Sequence, residues 1–159
     1  MSFFWPEMNF LWPVDLKHRI SSGYGKRVHP VTCAVSFHGG IDIACPQGSD
    51  VVSPCDGFVV AVWIDKQYGG GRSVIVESRD KRVRFGFAHL SSVSVENGAS
   101  VRRGQVIALS GGARGTDGAG SSTGPHLHMT VRLQGARVDP VGDAFRTYWE
   151  KVGGNNGTE

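Results

Sequence analysis

From Leu127 to Leu133 apolar and polar residues alternate without a break. Leu127, Met129, Val131 and Leu133 fall on one parity; His128, Thr130 and Arg132 fall on the other, with His126 just ahead. Residues i and i+2 of a strand share a face. The pattern therefore predicts a half-buried strand whose polar face carries two imidazoles. Val83, Phe85 and Phe87 alternate in the same way with Arg84, Gly86 and Ala88. His89 shares the parity of Phe87, which leaves a satisfied core histidine open beside a site histidine. Phe58 to Ile64 is continuously apolar and predicts a central strand buried on both faces.

Ile41–Ala44, Asp50–Ser53, Ser73–Ser78 and Gln105–Ser110 are further candidate strands. Turn signals such as Asn97-Gly98, Gly69-Gly70-Gly71 and Arg79-Asp80 separate them. Many short strands at turn spacing predict a mainly β, antiparallel fold. Helical spacing occurs only after Pro140, where Val141, Ala144, Phe145, Tyr148 and Trp149 predict one C-terminal amphipathic helix. Residues 153–159 read as a polar tail. Two long Gly-rich loops are expected, one from Ser21 to Gly40 and one from Gly111 to Gly124. The second lacks the Lys-Ser/Thr of a phosphate loop, so nucleotide binding is not indicated.

The 159 residues suit one domain with its own core. Residues 1–14, with Phe4-Trp5-Pro6 echoed by Leu11-Trp12-Pro13, read as an aromatic strap over that core rather than as a secretory leader. An anchor for virion or tail proteins is the other reading of this strap. No stretch reaches the roughly 20 apolar residues of a membrane span. The net charge of +3 suits weak attraction to an anionic surface, and no motif accompanies it that would indicate nucleic acid. Cys33, Cys45 and Cys55 are odd in number and form no CxxC pair. They read as small buried hydrophobes; Cys45 and Cys55 could bridge, with at least one thiol left free.

The charge pattern matters less than the histidines. His38-Gly39-Gly40-Ile41-Asp42 places an imidazole and a carboxylate four residues apart, and Ala88-His89-Leu90-Ser91 ends a predicted strand on another imidazole. Two histidines and one carboxylate are a donor set that zinc accepts, with a fourth tetrahedral position left for water. The surplus histidines could then move protons. The same donor types also occur in non-haem iron oxygenases, though the HxxxD spacing fits that alternative less well.

Taken together, Ser22-Gly23-Tyr24-Gly25-Lys26-Arg27-Val28-His29-Pro30, His38-Gly39-Gly40-Ile41-Asp42, Val51-Val52-Ser53-Pro54, Ala88-His89-Leu90-Ser91 and Gly124-Pro125-His126-Leu127-His128 resemble the lysostaphin-type zinc endopeptidases of bacterial cell walls. The likeness runs from about Trp12 to Pro140, in order and at family-like spacing. It implies a small antiparallel β-sheet groove walled by the Gly-rich loops. It implies zinc ligands His38, Asp42 and His128. His126 would be general base or proton shuttle, and His89 would orient or stabilise the tetrahedral intermediate. Tyr24, Arg27 and His29 are candidate substrate contacts, with loop packing as their other reading. The substrate would be a cross-link or stem peptide of peptidoglycan, with the D-Ala–diaminopimelate bond favoured. The expected place of action is the periplasm or wall; a phage virion or lysis protein is the expected setting, with a secreted bacterial enzyme lacking its leader as the alternative.

Two departures stand out. Phe87 occupies a position where the family usually has Tyr, and its place in the apolar alternation indicates packing. Residues 112–120 exceed the usual short turn before the HxH strand. The alternative function is a non-catalytic family member that binds the wall or a partner; such a protein would lack the metal.

Overall fold

The computed structural model describes residues 10–142. The helix and tail expected beyond Gly142, and the Phe4-Trp5-Pro6 part of the strap, lie outside them. In chain order the strands are β1 (Ile20–Ser22), β2 (Gly25–Val28), β3 (Val35–His38), β4 (Ile41–Ile43), β5 (Asp50–Val52), β6 (Gly57–Asp65) and β7 (Gly71–Ser78). They continue with β8 (Val83–Ala88), β9 (Ser92–Val93), β10 (Ser100–Val101), β11 (Val106–Leu109), β12 (Leu127–Leu133) and β13 (Ala136–Val138). No helix occurs among the described residues.

The main sheet runs β1-β4-β12-β8-β7-β6-β10. A smaller sheet runs β5-β11-β9, and β2 pairs with β3 as a separate hairpin. All pairings are antiparallel. β12 divides one of its edges: Leu127–Met129 pair with β4, and Val131–Leu133 pair with β13. The β12–β13 turn has positive φ at both Gln134 (49°) and Gly135 (84°), the handedness that matches strand twist in a two-residue hairpin.

The alternations of β8 and β12 hold. Val83, Phe85, Leu127, Met129 and Val131 are fully buried, and Phe87 is nearly so. They join Val51 of β5 and Ile107 and Ala108 of β11 in one core cluster. Leu11-Trp12-Pro13, the described end of the strap, bonds along this core: Leu11 N–H donates to Pro54 O at 2.7 Å, and Val52 N–H to Pro13 O at 2.8 Å. Phe10 meets Phe85 edge-on at 5.0 Å.

Three expectations need correction. The Phe58–Ile64 run is not buried on both faces: Phe58, Val62, Trp63 and Ile64 are exposed. β10 and the two residues before it cover β6 only from Gly57 to Val59, so the rest of β6 is an edge strand. The strand buried almost throughout is β7, flanked by β6 along its length and by β8 from Val74 to Glu77. Ser21 to Gly40 is not a long loop but chiefly the β2–β3 hairpin, in register from Gly25↔His38 to Val28↔Val35. Finally, Cys45 and Cys55 are buried as expected, but Cys33 is exposed near the hairpin tip with φ 56°, and all three thiols are free.

Candidate metal centre

The centre forms where β4, β12 and β8 run side by side. His128 lies directly opposite Asp42 on one side and Ala88 on the other. Opposed residues of antiparallel strands project to the same face, so this register alone brings Asp42 and His128 together. His128 Nδ1 lies 2.8 Å from Asp42 Oδ1. His38 ends β3, and Gly39-Gly40 carries the chain from it into β4. A side chain at Gly40 would strike Met129 O and the His128 ring, so only glycine lets the chain pass beneath that imidazole.

His38 Nε2 lies 3.2 Å from His128 Nδ1 and 3.3 Å from Asp42 Oδ1. These three side chains form a His/Asp/His group with one donor atom from each. Zinc bonds of ~2.0–2.1 Å in a tetrahedron place donor atoms about 3.3 Å apart. The two longer separations match that edge, and the third is slightly tighter. The donor set therefore fits zinc in both type and spacing.

The remaining ring nitrogens are aimed by backbone carbonyls. His38 Nδ1 donates to Gly23 O at 2.7 Å, which leaves Nε2 bare for a ligand role. His89 Nδ1 donates to Ala119 O at 2.8 Å, and His126 Nδ1 to Gly124 O at 2.8 Å. Each ring is thus tied through Nδ1 and turns its Nε2 to the site. The His89 and His126 ring centroids are 4.9 Å apart, and His89 and His128 are 5.9 Å apart. His126 Nε2 is 3.6 Å from Asp42 Oδ1.

His89 does not follow its strand parity into the core. β8 ends at Ala88, and His89 takes φ 58°, which turns its side chain into the groove. This is left-handed backbone, uncommon outside glycine. It is held by His89 N–H to Gly70 O at 2.8 Å and Leu90 N–H to Arg72 O at 3.0 Å.

Burial pushes the imidazoles of His38 and His89 below their ordinary value; neighbouring positive groups, Arg27 among them for His38, act in the same direction. Burial pushes the Asp42 carboxyl up. The hydrogen bond from His128 and the nearby His38 and His126 more than offset it, so the carboxyl lies below its ordinary range.

The site opens into a groove of about 580 Å³ lined by His38, Asp42, His89, His126 and His128, and further along by Trp63, Tyr68, Thr130, Arg132 and Arg137. Tyr24, Arg27 and His29 are not among the lining residues. Tyr24 packs edge-on against Phe37 at 5.1 Å and donates to Arg137 O at 3.4 Å. Arg27 stands behind the cluster, touching Ser22 Oγ, 2.5 Å from His38 Nδ1 and 3.7 Å from Asp42 Oδ2. His29 Nδ1 accepts from Val31 N–H at 3.2 Å and Thr32 N–H at 3.1 Å, closing the hairpin turn.

Arg72 and Asp65 have parts in the site that the sequence reading missed. Arg72 donates to Leu90 O and Ser91 O and pairs with Asp117 at 2.6 Å, tying the 117–120 loop to the segment after His89. Asp65 accepts from the N–H groups of Gln67, Tyr68 and Gly70, which fix the other loop and hold its carboxyl low. Neither residue lies in a motif with the histidines; the Gly69-Gly70-Gly71 turn beside Arg72 was their only local signal.

With this geometry in place, comparison with known proteins decides the family. The sequence profile of Peptidase family M23 matches residues 36–140, which span His38, Asp42, His89, His126 and His128. The chain belongs to this family. It is 40% identical over 131 residues to peptidoglycan DD-endopeptidase ShyA of Vibrio cholerae, covering 82% of this chain and 28% of that protein. It is 40% identical over 129 residues to DD-carboxypeptidase/endopeptidase Mpg of Neisseria meningitidis, covering 81% of this chain and 28% of Mpg. The chain thus spans little more than a quarter of the length of these relatives.

Among solved structures, a zinc-containing peptidase from Vibrio cholerae superposes with TM-score 0.72 at 36% identity, covering 86% of this chain and 39% of that one. The catalytic domain of lysostaphin from Staphylococcus simulans superposes with TM-score 0.67 at 28% identity, covering 79% and 90%.

Proposed function

We propose that this M23 domain is a zinc-dependent endopeptidase that hydrolyses peptide bonds of bacterial peptidoglycan, acting in the periplasm or cell wall. The observation that carries the reading is the His38/Asp42/His128 cluster, with donor atoms 2.8–3.3 Å apart and two further imidazoles, tied through Nδ1, beside it. The named activities of ShyA and Mpg support the substrate class, and their DD-endopeptidase and DD-carboxypeptidase/endopeptidase names support the D-Ala–diaminopimelate cross-link.

His38 through Nε2, Asp42 through Oδ1 and His128 through Nδ1 would hold the ion. Zinc there supplies a Lewis acid and a water acidic enough to react near neutral pH. His126 and His89 handle the proton. Tied at Nδ1, each accepts a proton at Nε2 and afterwards donates it to the leaving amine. His89 becomes a donor to a developing oxyanion only after taking that proton, so its stabilising role follows its basic one. Burial pushes the His89 imidazole below its ordinary value and so favours its neutral, accepting form. The sheet face and glycine loops orient an extended peptide over these groups.

Zinc analysis of purified protein, combined with mass spectrometry of digested muropeptides, tests the reading. Bound zinc and release of cross-linked peptides, both abolished by His38→Ala, are expected. Undiminished cleavage by His38→Ala, or wall binding without cleavage by zinc-loaded protein, would overturn it.

A further inference from the structure

Arg84, Arg132 and Arg137 stand in one row across β8, β12 and β13: Arg84 is opposite Arg132, and Arg132 is opposite Arg137. Opposed residues share a face, and Arg132 shares that face with His128 four residues earlier on β12. The row therefore lies about 13 Å along the strand from the metal cluster, and its Arg132 and Arg137 line the groove. Like charges opposite one another destabilise a sheet, so a stacked row of three needs a reason.

Among the described residues only Arg84 is neutralised, by Glu77 at 2.6 Å. Arg132 and Arg137 both line the groove and have no carboxylate partner among the described residues. Arg132 spends one N–H on Gly135 O at 3.2 Å. The Arg137 guanidinium reaches back against Gly39, where a Cβ would collide with its Nη1. It thus lies against the residue that follows His38. The two acids of the groove are already engaged, Asp42 with the imidazoles and Asp65 with three backbone N–H groups.

We propose that Arg132 and Arg137 form a carboxylate-reading subsite that selects peptides with a free acid group on the segment lying toward β13. This rests on the peptidase reading above and adds to it a specificity determinant. Guanidinium N–H groups match carboxylate geometry in a way a carboxamide cannot, because half of the amide's polar edge is itself a donor. The closeness of Arg137 to His38 lets that selection fix the register of the bound peptide relative to the reacting bond.

The test compares cross-linked wall peptides with free carboxyl groups against the same peptides with those groups converted to carboxamides, on zinc-loaded protein. Wild type is expected to prefer the acid form by roughly 10- to 100-fold in kcat/KM, chiefly through KM. Arg132→Gln and Arg137→Gln should each bring the acid-to-amide ratio toward one at full zinc content, and the double variant should do so most. Arg102→Gln removes the same charge from surface outside the groove and should keep the wild-type ratio. Equal cleavage of both peptides by wild type overturns this inference alone. A ratio unchanged in the double variant, or lowered equally by Arg102→Gln, also overturns it. Failure of wild type to cleave either peptide overturns the peptidase reading and this inference together.

Discussion

The floor and the rim of the site are built by different means. On the floor, Asp42 and His128 are neighbours because β4 and β12 pair in one register, and the ladder brings the two side chains to 2.8 Å of one another. On the rim, His38, His89 and His126 stand at strand ends or in loops, and each is aimed by a single backbone carbonyl on Nδ1. The floor is as rigid as the sheet beneath it, which rests on fully buried Ile41, Ile43, Leu127 and Met129. The rim is as rigid as the loops that supply the carbonyls. Metal retention should therefore follow the floor, together with His38, while proton transfer should follow the rim.

The largest expected effect comes from the floor. Asp42→Ala or His128→Ala should lose bound zinc and abolish cleavage, read by metal analysis and peptide release. Zinc retained at full stoichiometry in His128→Ala would end the assignment of that residue as a ligand.

Next are the proton-handling rings. His126→Ala and His89→Ala should keep zinc and lose about 10²–10⁴ in kcat, the usual range for general acid–base groups. Loss of metal in these variants would erase the proposed distinction between floor and rim.

A smaller effect should follow from loosening the rim without touching a ring. Gly71, Gly118 and Gly120 let the 69–71 and 117–120 loops interlock at backbone contact, and Arg72 fastens the second loop. Arg72→Met should lower kcat by about tenfold, the worth of one charged hydrogen bond, with zinc content unchanged. An equal fall in zinc content would show that the loops also support the floor.

The metal-free protein should respond modestly to pH. His38 and His89 are held below their ordinary value in the fold, so the unfolded chain binds more protons between the folded and unfolded values. Stability therefore falls as pH drops through about 6.5. Asp42 acts in the same direction lower down: its contribution is present above the ordinary carboxylate value and is lost as pH falls through the folded one. Chelator-treated protein should have a higher Tm at pH 7.5 than at pH 5.5; a flat profile would contradict the burial of these rings. Least disruptive is a thiol probe. Burial pushes Cys55 up to about 12, so at pH 8 the exposed Cys33 should react with a disulfide reagent while Cys55 stays protected until the chain unfolds.

How much of this was legible in the sequence varies by element. β8 and β12 were legible because one of their faces is core and the other is groove, so burial repeats every second residue. β6 was misread because an apolar run at a sheet edge looks the same as one at the centre; only its partners tell them apart, and β10 covers just its first two residues. The β2–β3 hairpin was read as loop because neither strand buries a regular face: Val28, Val35 and Phe37 are all exposed. His89 could be read either way, since its strand parity pointed to the core and the positive φ that turns it outward depends on Gly70 O and Arg72 O, at the start of β7 and the turn before it.

By itself, the sequence determined which residue types were available and which of them shared a strand face. His126 and His128 are two apart, and the alternation of Leu127, Met129 and Val131 placed both away from the core, because side-chain direction in a strand depends only on parity. The tertiary structure decided the rest. It joined Asp42 to His128 across 86 residues through one antiparallel register, selected the free nitrogens of His38 and His89 through carbonyls distant in sequence, and set Arg132 and Arg137 side by side in one groove. These outcomes depend on which strands become neighbours, and strand partnership is set by burial of the whole core rather than by any local pattern.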